Sequence, residues 1–442
     1  MASIDNIEYA GLTDVGVRRS HNQDAFALLP APDLEQWHSR GHIFVVADGM
    51  GAHAVGELAS KMAADAIPHI YSKHAKEGPP AALRRSFIEA NSTIHTRGQQ
   101  NREFEGMGTT STALVIRPEG AWVGHVGDSR VYRIRGDRVE QISFDHSLVW
   151  EMARRQKCDP SELEGIPSNV IVRSLGPEGL VQVDVEGPHP LEDGDIFVIC
   201  SDGLSGPVSD EEMAAVVTTL PPEEACRLLI DIANLHGGPD NITAVVVKIK
   251  MPDEDGDSSS GLWSSSAGTK KKSSNAAIHW PIWSMAAGIL LAISAIILTM
   301  IQLSMVAYVA FLLAALSLVG GLAGVFFQYK QDTQPPEPVT QASPPKIHRM
   351  VKFAHSKEMV DKLSKAFAPL EERLREHGWE ADWDNLRSLQ GKMEEYVGKE
   401  QYRNAFREAC RALRLLTEAI RKKSNKEERF RPVWETRSPR HV

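Results

Sequence analysis

At 442 residues and 42% hydrophobic content, the chain holds material for roughly two to four folded units and is not wholly disordered. Its four cysteines, Cys158, Cys200, Cys226 and Cys410, are far apart and include no Cys-x-x-Cys pair, which excludes a disulfide framework and a thiolate zinc site and points to a reducing compartment. The net charge of −9 hides an asymmetry: residues 346–442 carry 23 Lys and Arg against 16 Asp and Glu, leaving 26 against 42 elsewhere, so nucleic acid is not expected as a partner of the acidic body.

The first residues have neither a basic start nor an apolar stretch, so no cleaved signal peptide is expected and the chain is read as beginning in the cytosol. Residues 1–251 read as mixed α and β. Short β-branched or apolar runs at 42–47, 111–116, 121–126, 196–200 and 242–249 predict strands, and 56–70, 80–97 and 222–235 predict helices. Five or more short strands, two of them nearly adjacent, predict antiparallel sheets covered by helices.

A Ser-rich, charged linker is expected over 252–279. No Asp, Glu, Lys or Arg occurs from 273 to 329, and the apolar section 282–327 as a single helix would measure roughly 70 Å against about 30 Å of hydrocarbon. The reading is therefore a two-pass transmembrane hairpin over 280–329, turning near Gln302 and Ser304. Lys270, Lys271 and Lys272 before it and Lys330, Lys346 and Arg349 after it place both flanks in the cytoplasm. A Pro-rich linker over 330–349 leads to a helical region, 350–424, in which Leu363, Phe367, Leu370 and Leu374, then Tyr402, Phe406, Ala409, Leu413, Leu416 and Ile420, recur at helical spacing. A small three-helix bundle is expected there, with a surface that a protein partner could use. The tail 425–442 is basic and either lies on anionic lipid or is solvated.

Three predicted strands end alike: VVAD at Asp48, GHVGD at Asp128 and ICSD at Asp202. Asp240 stands just before a strand in GGPDNIT, and Asp24 follows RRSHNQ. Each aspartate alone reads as a turn residue or helix cap. Several carboxylates at strand mouths are costly without a compensating cation. Oxygen ligands alone point to magnesium or manganese.

The series TDVGVRRSHNQDA, VADGMGAH, MGTT, VGDSRVY, DHSLV, VICSDGL and GPDNIT, in this order, resembles the metal-dependent protein phosphatase family, protein phosphatase 2C-like, in its bacterial form. The resemblance covers residues 5–250 and implies an α+β fold: a β-sandwich of two antiparallel sheets flanked by helices, here followed by the two membrane helices and the all-α region. It implies a centre of two manganese or magnesium ions, with a third, weaker one. Asp48, the Gly49 carbonyl, Asp202 and Asp240 match metal-binding positions, and Asp24 matches an acidic residue acting directly or through water. Asp128 matches a ligand of the third ion, shared with Asp202.

Arg19, five residues before Asp24, matches a phosphate-binding arginine; Arg18 does not. His53 is the candidate proton donor to the leaving alkoxide, and Ser168, in the variable flap from 146 to 173, the candidate substrate contact. Asn241 is expected to orient Asp240. Ala52 departs from the family, where a second glycine is usual. The implied activity is hydrolysis of phosphoserine and phosphothreonine by a metal-activated bridging hydroxide, without a phosphoenzyme; the predicted hairpin places it on the cytosolic side of a bacterial membrane, and from that location a membrane Ser/Thr kinase is the expected opponent. A catalytically silent phosphoprotein-binding membrane adaptor is the alternative, and the intact set of aspartates argues against it.

Overall fold

The computed structural model describes residues 7–51, 54–163, 165–167, 169–250 and 343–429, together with the isolated helical positions Val309, Leu313, Ala315 and Ser317. Strands β1 (Ile7–Asp14) and β2 (Asp24–Leu29) precede helix α1 (Leu34–Ser39) and strand β3 (His42–Met50). Helices α2 (Ala54–His74) and α3 (Pro79–Gln99) follow, then the two-residue β4 (Gly108–Thr109) and strands β5 (Ser111–Arg117), β6 (Gly120–Val126), β7 (Arg130–Arg135) and β8 (Arg138–Gln141). Helix α4 (Leu148–Gln156) opens the flap, and β9 (Asp184–His189), β10 (Ile196–Cys200), α5 (Asp202–Ser205), α6 (Asp210–Thr219), α7 (Pro222–Leu235) and β11 (Ile242–Ile249) complete the N-terminal half.

One antiparallel sheet runs β1-β11-β10-β7-β8 and the other β2-β3-β5-β6-β9, with β4 joined to β3. The strand pattern has a period of two, yet β3 and β11 are apolar at nearly every position because both of their faces are covered. Ile43, Val45 and Ala47 face α2 and α3, whereas Phe44 and Val46 enter the core between the sheets. On the other sheet Ala244 and Val246 face α6 and α7, and Val245 and Val247 fill the same inter-sheet core. Four layers result, helix, sheet, sheet and helix, as the resemblance implies.

Residues 1–253 and 340–442 form one compact unit and 254–339 a second, of which only the four isolated positions are described. Apart from those four positions, the predicted membrane hairpin, the Ser-rich linker and the end of the basic tail thus lie outside the described residues. Among the described residues no helix is long and apolar enough to cross a membrane.

The C-terminal region differs from the expected free linker and separate three-helix bundle. Residues 343–352 form a strap across the sandwich. Ser343 exchanges backbone hydrogen bonds with β9, its N–H donating to Val185 O at 2.9 Å and its carbonyl accepting from Gly187 N at 3.2 Å. Strand β12 (Arg349–Lys352) then pairs antiparallel with β8, from Arg349 opposite Gln141 to Lys352 opposite Arg138. Part of the predicted tether is bound because each sheet offers it an open ladder.

Beyond it come four helices, α8 (Lys357–Ser364), α9 (Phe367–Glu376), α10 (Trp383–Gly398) and α11 (Tyr402–Arg429). Leu363, Leu370, Phe406 and Leu413 share one buried core with Met213, Val217, Leu228 and Ile232 of α6 and α7. The apolar stripes that the sequence offers to a partner are therefore covered by the chain's own N-terminal half. Thr417 donates to Asp231 Oδ2 at 2.7 Å, Lys362 pairs with Glu212 at 2.9 Å, and Arg414 and Arg421 pair with Glu224 and Asp231.

Candidate active site

Both sheets deliver carboxylates to the same end of the sandwich. Asp24 opens β2 and lies opposite Asp48 of β3 in the ladder register. Asp128 sits in the turn between β6 and β7, Asp202 begins α5 directly after β10, and Asp240 lies in the loop before β11. Strands begin or end at or near these positions, so the acidic groups meet where the sheet interior gives way to loops.

Their electrostatics show how closely they converge. Burial, then the charges of Asp202 and Asp240, push the Asp24 carboxyl up to about 7, despite hydrogen bonds from Thr243 and Ser201. Asp48 is held well above the usual carboxylate range by burial and by Asp24, Asp202, Asp128 and Asp240. Asp128 is pushed up to about 7, mainly by burial and then by Asp202 and Asp145. Burial and Asp240 raise Asp202, countered by a hydrogen bond with Asp48. Like charges in low dielectric favour protonation when nothing neutralises them.

No group of three or more His, Cys, Asp or Glu among the described residues is already closed around a metal-sized point. Asp24, Asp48, Asp128 and Asp202 are nonetheless each raised by the charge of at least one other acid of the set. The donor chemistry fits hard divalent ions, and Asp24 Oδ1, Asp128 Oδ1 and Asp202 Oδ1 are buried without a hydrogen-bond partner.

The scaffold holds each acid from behind. Asp24 Oδ2 accepts from Ser201 Oγ at 2.7 Å and Thr243 Oγ1 at 2.6 Å, and Thr243 N–H donates to Ser201 Oγ at 3.0 Å, tying β2 to β10 and β11. Asp48 N–H donates to Thr110 Oγ1 at 3.0 Å, and that hydroxyl meets Ser129 Oγ at 2.8 Å next to Asp128. Gly49 admits no side chain, since a Cβ there would lie 2.1 Å from Gly56 O. Gly203 is equally constrained, with Asn241 O 1.9 Å from its would-be Cβ, and the loops bearing Asp202 and Asp240 meet there.

Asn241 joins several loops through hydrogen bonds. Its N–H donates to Asp240 Oδ1 at 2.8 Å, while its side chain accepts from Gln23 N–H and donates to Val15 O and His21 O, fastening the loop that carries Arg19. Arg19, its side chain 48% exposed, pairs with Asp240 Oδ2 at 2.7 Å. The structure thus brings together Arg19, Asp24, Asp48, Gly49, Asp128, Asp202 and Asp240, whereas His53, Ser168 and Ala52 lie outside the described residues.

Beside Asp128 and Asp202 a cavity of about 140 Å³ is lined by Arg130, Asp145, Trp150 and Asn169. Arg130 clamps Asp145 Oδ2 with Nε and Nη2, both at 2.8 Å, and donates to the Tyr132 hydroxyl at 2.9 Å. His146 Nδ1 accepts from Gly127 N–H at 3.0 Å and its own N–H donates to Gly127 O at 2.7 Å, fixing the turn that presents Asp128. Sequence reasoning gave no role to Ser201, Thr243, Thr110, Arg130, Asp145 or His146. Their only signal was position within the quoted motifs, Ser201 next to Asp202 and Arg130 two residues after Asp128.

A protein-family model, protein phosphatase 2C, matches residues 17–227. The chain is 34% identical over 254 residues to the protein phosphatase PhpP of Streptococcus pneumoniae, covering 56% of this chain and 99% of that protein. It is 32% identical over 253 residues to the serine/threonine phosphatase stp of Listeria innocua, covering 56% and 98%. Among solved structures it is similar to the catalytic domain of the serine/threonine protein phosphatase PstP in complex with two manganese ions, at 31% identity and a TM-score of 0.46, covering 55% of this chain and 98% of that one.

Proposed function

The chain belongs to the protein phosphatase 2C family and is a metal-dependent protein serine/threonine phosphatase, and on that premise we propose that it dephosphorylates phosphoserine and phosphothreonine on proteins at a bacterial membrane, opposing a Ser/Thr kinase. In this reading Asp24, Asp48, the Gly49 carbonyl, Asp202 and Asp240 hold two manganese or magnesium ions, and Asp128 with Asp202 a third. When bound, such ions supply an attacking water at neutral pH and neutralise charge on the phosphoryl group.

The chain's own residues do the rest. Ser201 and Thr243 hold Asp24 in one orientation and favour its ionised form. Arg19 waits against Asp240, where a phosphate dianion competes for its planar fork of donors. His53 gives the leaving alkoxide its proton, a role resting on its place in the sequence alone. The observation that carries this reading is the set of three buried, unpartnered carboxylate oxygens on Asp24, Asp128 and Asp202.

Membrane tethering rests on the uncharged apolar run over 273–329. The shared core of 1–253 and 340–442 supports an even number of crossings, since both flanks of that run then belong on one side. A tether of this kind raises the local concentration of the catalytic half near membrane-bound phosphoproteins.

The test is hydrolysis of a phosphothreonine peptide by the full chain with manganese and with chelator. Turnover only with manganese, abolished in a folded Asp202→Asn variant, is the expected result. Full rate in that variant would remove Asp202 from the metal set, and an inert wild-type chain under every metal would favour the adaptor.

A further inference from the structure

The strap formed by residues 343–352 reaches the flap through a continuous series of ring contacts. Strand β12 fixes the segment on β8, and His348 N–H donates to Gln141 O at 2.9 Å. The His348 ring is then pinned from two sides: Nε2 lies 3.2 Å from Glu186 Oε1 on β9, and the ring stands edge-on to Phe144 with centroids 5.5 Å apart.

Phe144 in turn meets Trp150 of α4 edge-on at 5.4 Å and an 87° interplanar angle, while Arg154 of the same helix lies over its ring at 5.2 Å. The backbone of Phe144 has its own anchor, its carbonyl accepting from the buried His125 Nε2 at 2.9 Å. Trp150 completes the path, because it lines the cavity beside Asp128 and Asp202 and carries Arg130 over its face at 5.9 Å.

We infer that His348 is a positioning residue: packed on Phe144, it sets where Trp150 and helix α4 stand beside the carboxylates, and so sets affinity for the protein part of the substrate rather than the rate of phosphoryl hydrolysis. The inference deepens the phosphatase reading and rests on it. Phe144 is held at its backbone by the catalytic half, but one face of its ring is supplied by a segment that starts some 90 residues after β11 in the chain. A small phosphate ester needs the carboxylates and Arg19 alone. The protein part of a phosphoprotein meets α4 in this proposal, since Val149 and Trp150 of that helix line the cavity beside Asp128 and Asp202. Whatever draws residues 343–348 off β9 and β8 therefore loosens substrate recognition without touching a single acid of the cluster.

The experiment compares wild type, His348→Ala and His348→Phe as full chains with manganese, on para-nitrophenyl phosphate and on a phosphothreonine peptide. It also follows, by mass spectrometry, trypsin cleavage after Arg154, Arg155 and Lys157. For H348A, KM for the peptide should rise on the order of 3- to 10-fold, the worth of one aromatic contact, with kcat on both substrates and KM for the small ester unchanged, and cleavage in the flap should accelerate. H348F keeps a ring against Phe144 and should restore both readouts.

Equal losses on the two substrates, an unchanged peptide KM in an active enzyme, unchanged flap cleavage, or a Phe variant as impaired as the Ala variant would each overturn the proposal. A wild-type chain inert on both substrates, with flap cleavage still faster in H348A and restored in H348F, would instead remove the enzyme reading and uphold the positioning of the flap.

Discussion

Replacing Asp128 by Asn isolates the electrostatic cost of the acidic cluster. Its carboxyl is pushed from 3.8 to about 7 by burial, then by Asp202 and Asp145, against the pull of Arg130. A folded-state value above the unfolded one means that the fold holds the proton more tightly. The resulting stabilisation is complete below pH 3.8 and is lost as the pH climbs through 7.

At 1.36 kcal/mol per pKa unit, the raised value costs the metal-free fold up to about 4 kcal/mol at pH 8, where the group is ionised, and about 2 kcal/mol at pH 5, where folding takes up a proton that the unfolded chain has shed. Water entering the adjoining cavity screens both figures. Asn has nearly the same shape and no charge, so the chelated full-length variant should be more stable than wild type, and by a larger margin at pH 8. Urea unfolding followed by tryptophan fluorescence reads the two margins. A variant less stable than wild type at pH 8, or a margin that does not change with pH, refutes the reasoning. Adding manganese should stabilise wild type more than the variant, since a ligand stabilises in proportion to its affinity for the folded form.

Thr243→Val removes one of the two hydroxyls on Asp24. A charge-assisted bond of about 1.5–3 kcal/mol corresponds to manganese activation weakened roughly 10- to 100-fold, recovered in part by more manganese; unchanged activation would show that the hydroxyl does not hold Asp24 for a metal. In oriented membrane vesicles, protease added to the cytosolic face should digest both the catalytic half and the C-terminal helices, and protection of either alone would rule out the two-pass hairpin.

The catalytic half was legible where one physical demand governed a segment. Strands β3, β10 and β11 are buried on both faces and read as unbroken apolar runs, and α7 announces itself by Pro222 at its first position. Strands β7 and β8 did not stand out, because RVYRIR and RVEQ carry charges that become acceptable only once paired: Arg133 with Glu140, and Arg135 with Asp195. The aspartates were legible because each borders an apolar strand. The hydroxyls behind them were not, since Ser201 and Thr243 look like any serine or threonine until the fold brings β2, β10 and β11 together.

The strap escaped for a stronger reason. Four residues, RMVK, form a strand only because β8, some 210 positions earlier, presents an open ladder. Local pattern holds no trace of such a partner. The amphipathic spacing of the last helices showed that they bury a face, and only the structure shows that α6 and α7 cover it.

An unpaired strand is an invitation to self-association, because its free amides and carbonyls accept any passing chain. Residues 349–352 occupy that position on β8, and the new margin they create is poorly suited to growth: four residues long, bracketed by Arg349 and Lys352, with Pro344 and Pro345 just upstream. A protein cut at residue 251 would bare β8 to a second copy of itself. The far end of the chain thus serves as insulation, keeping neighbouring copies of the protein from annealing sheet to sheet.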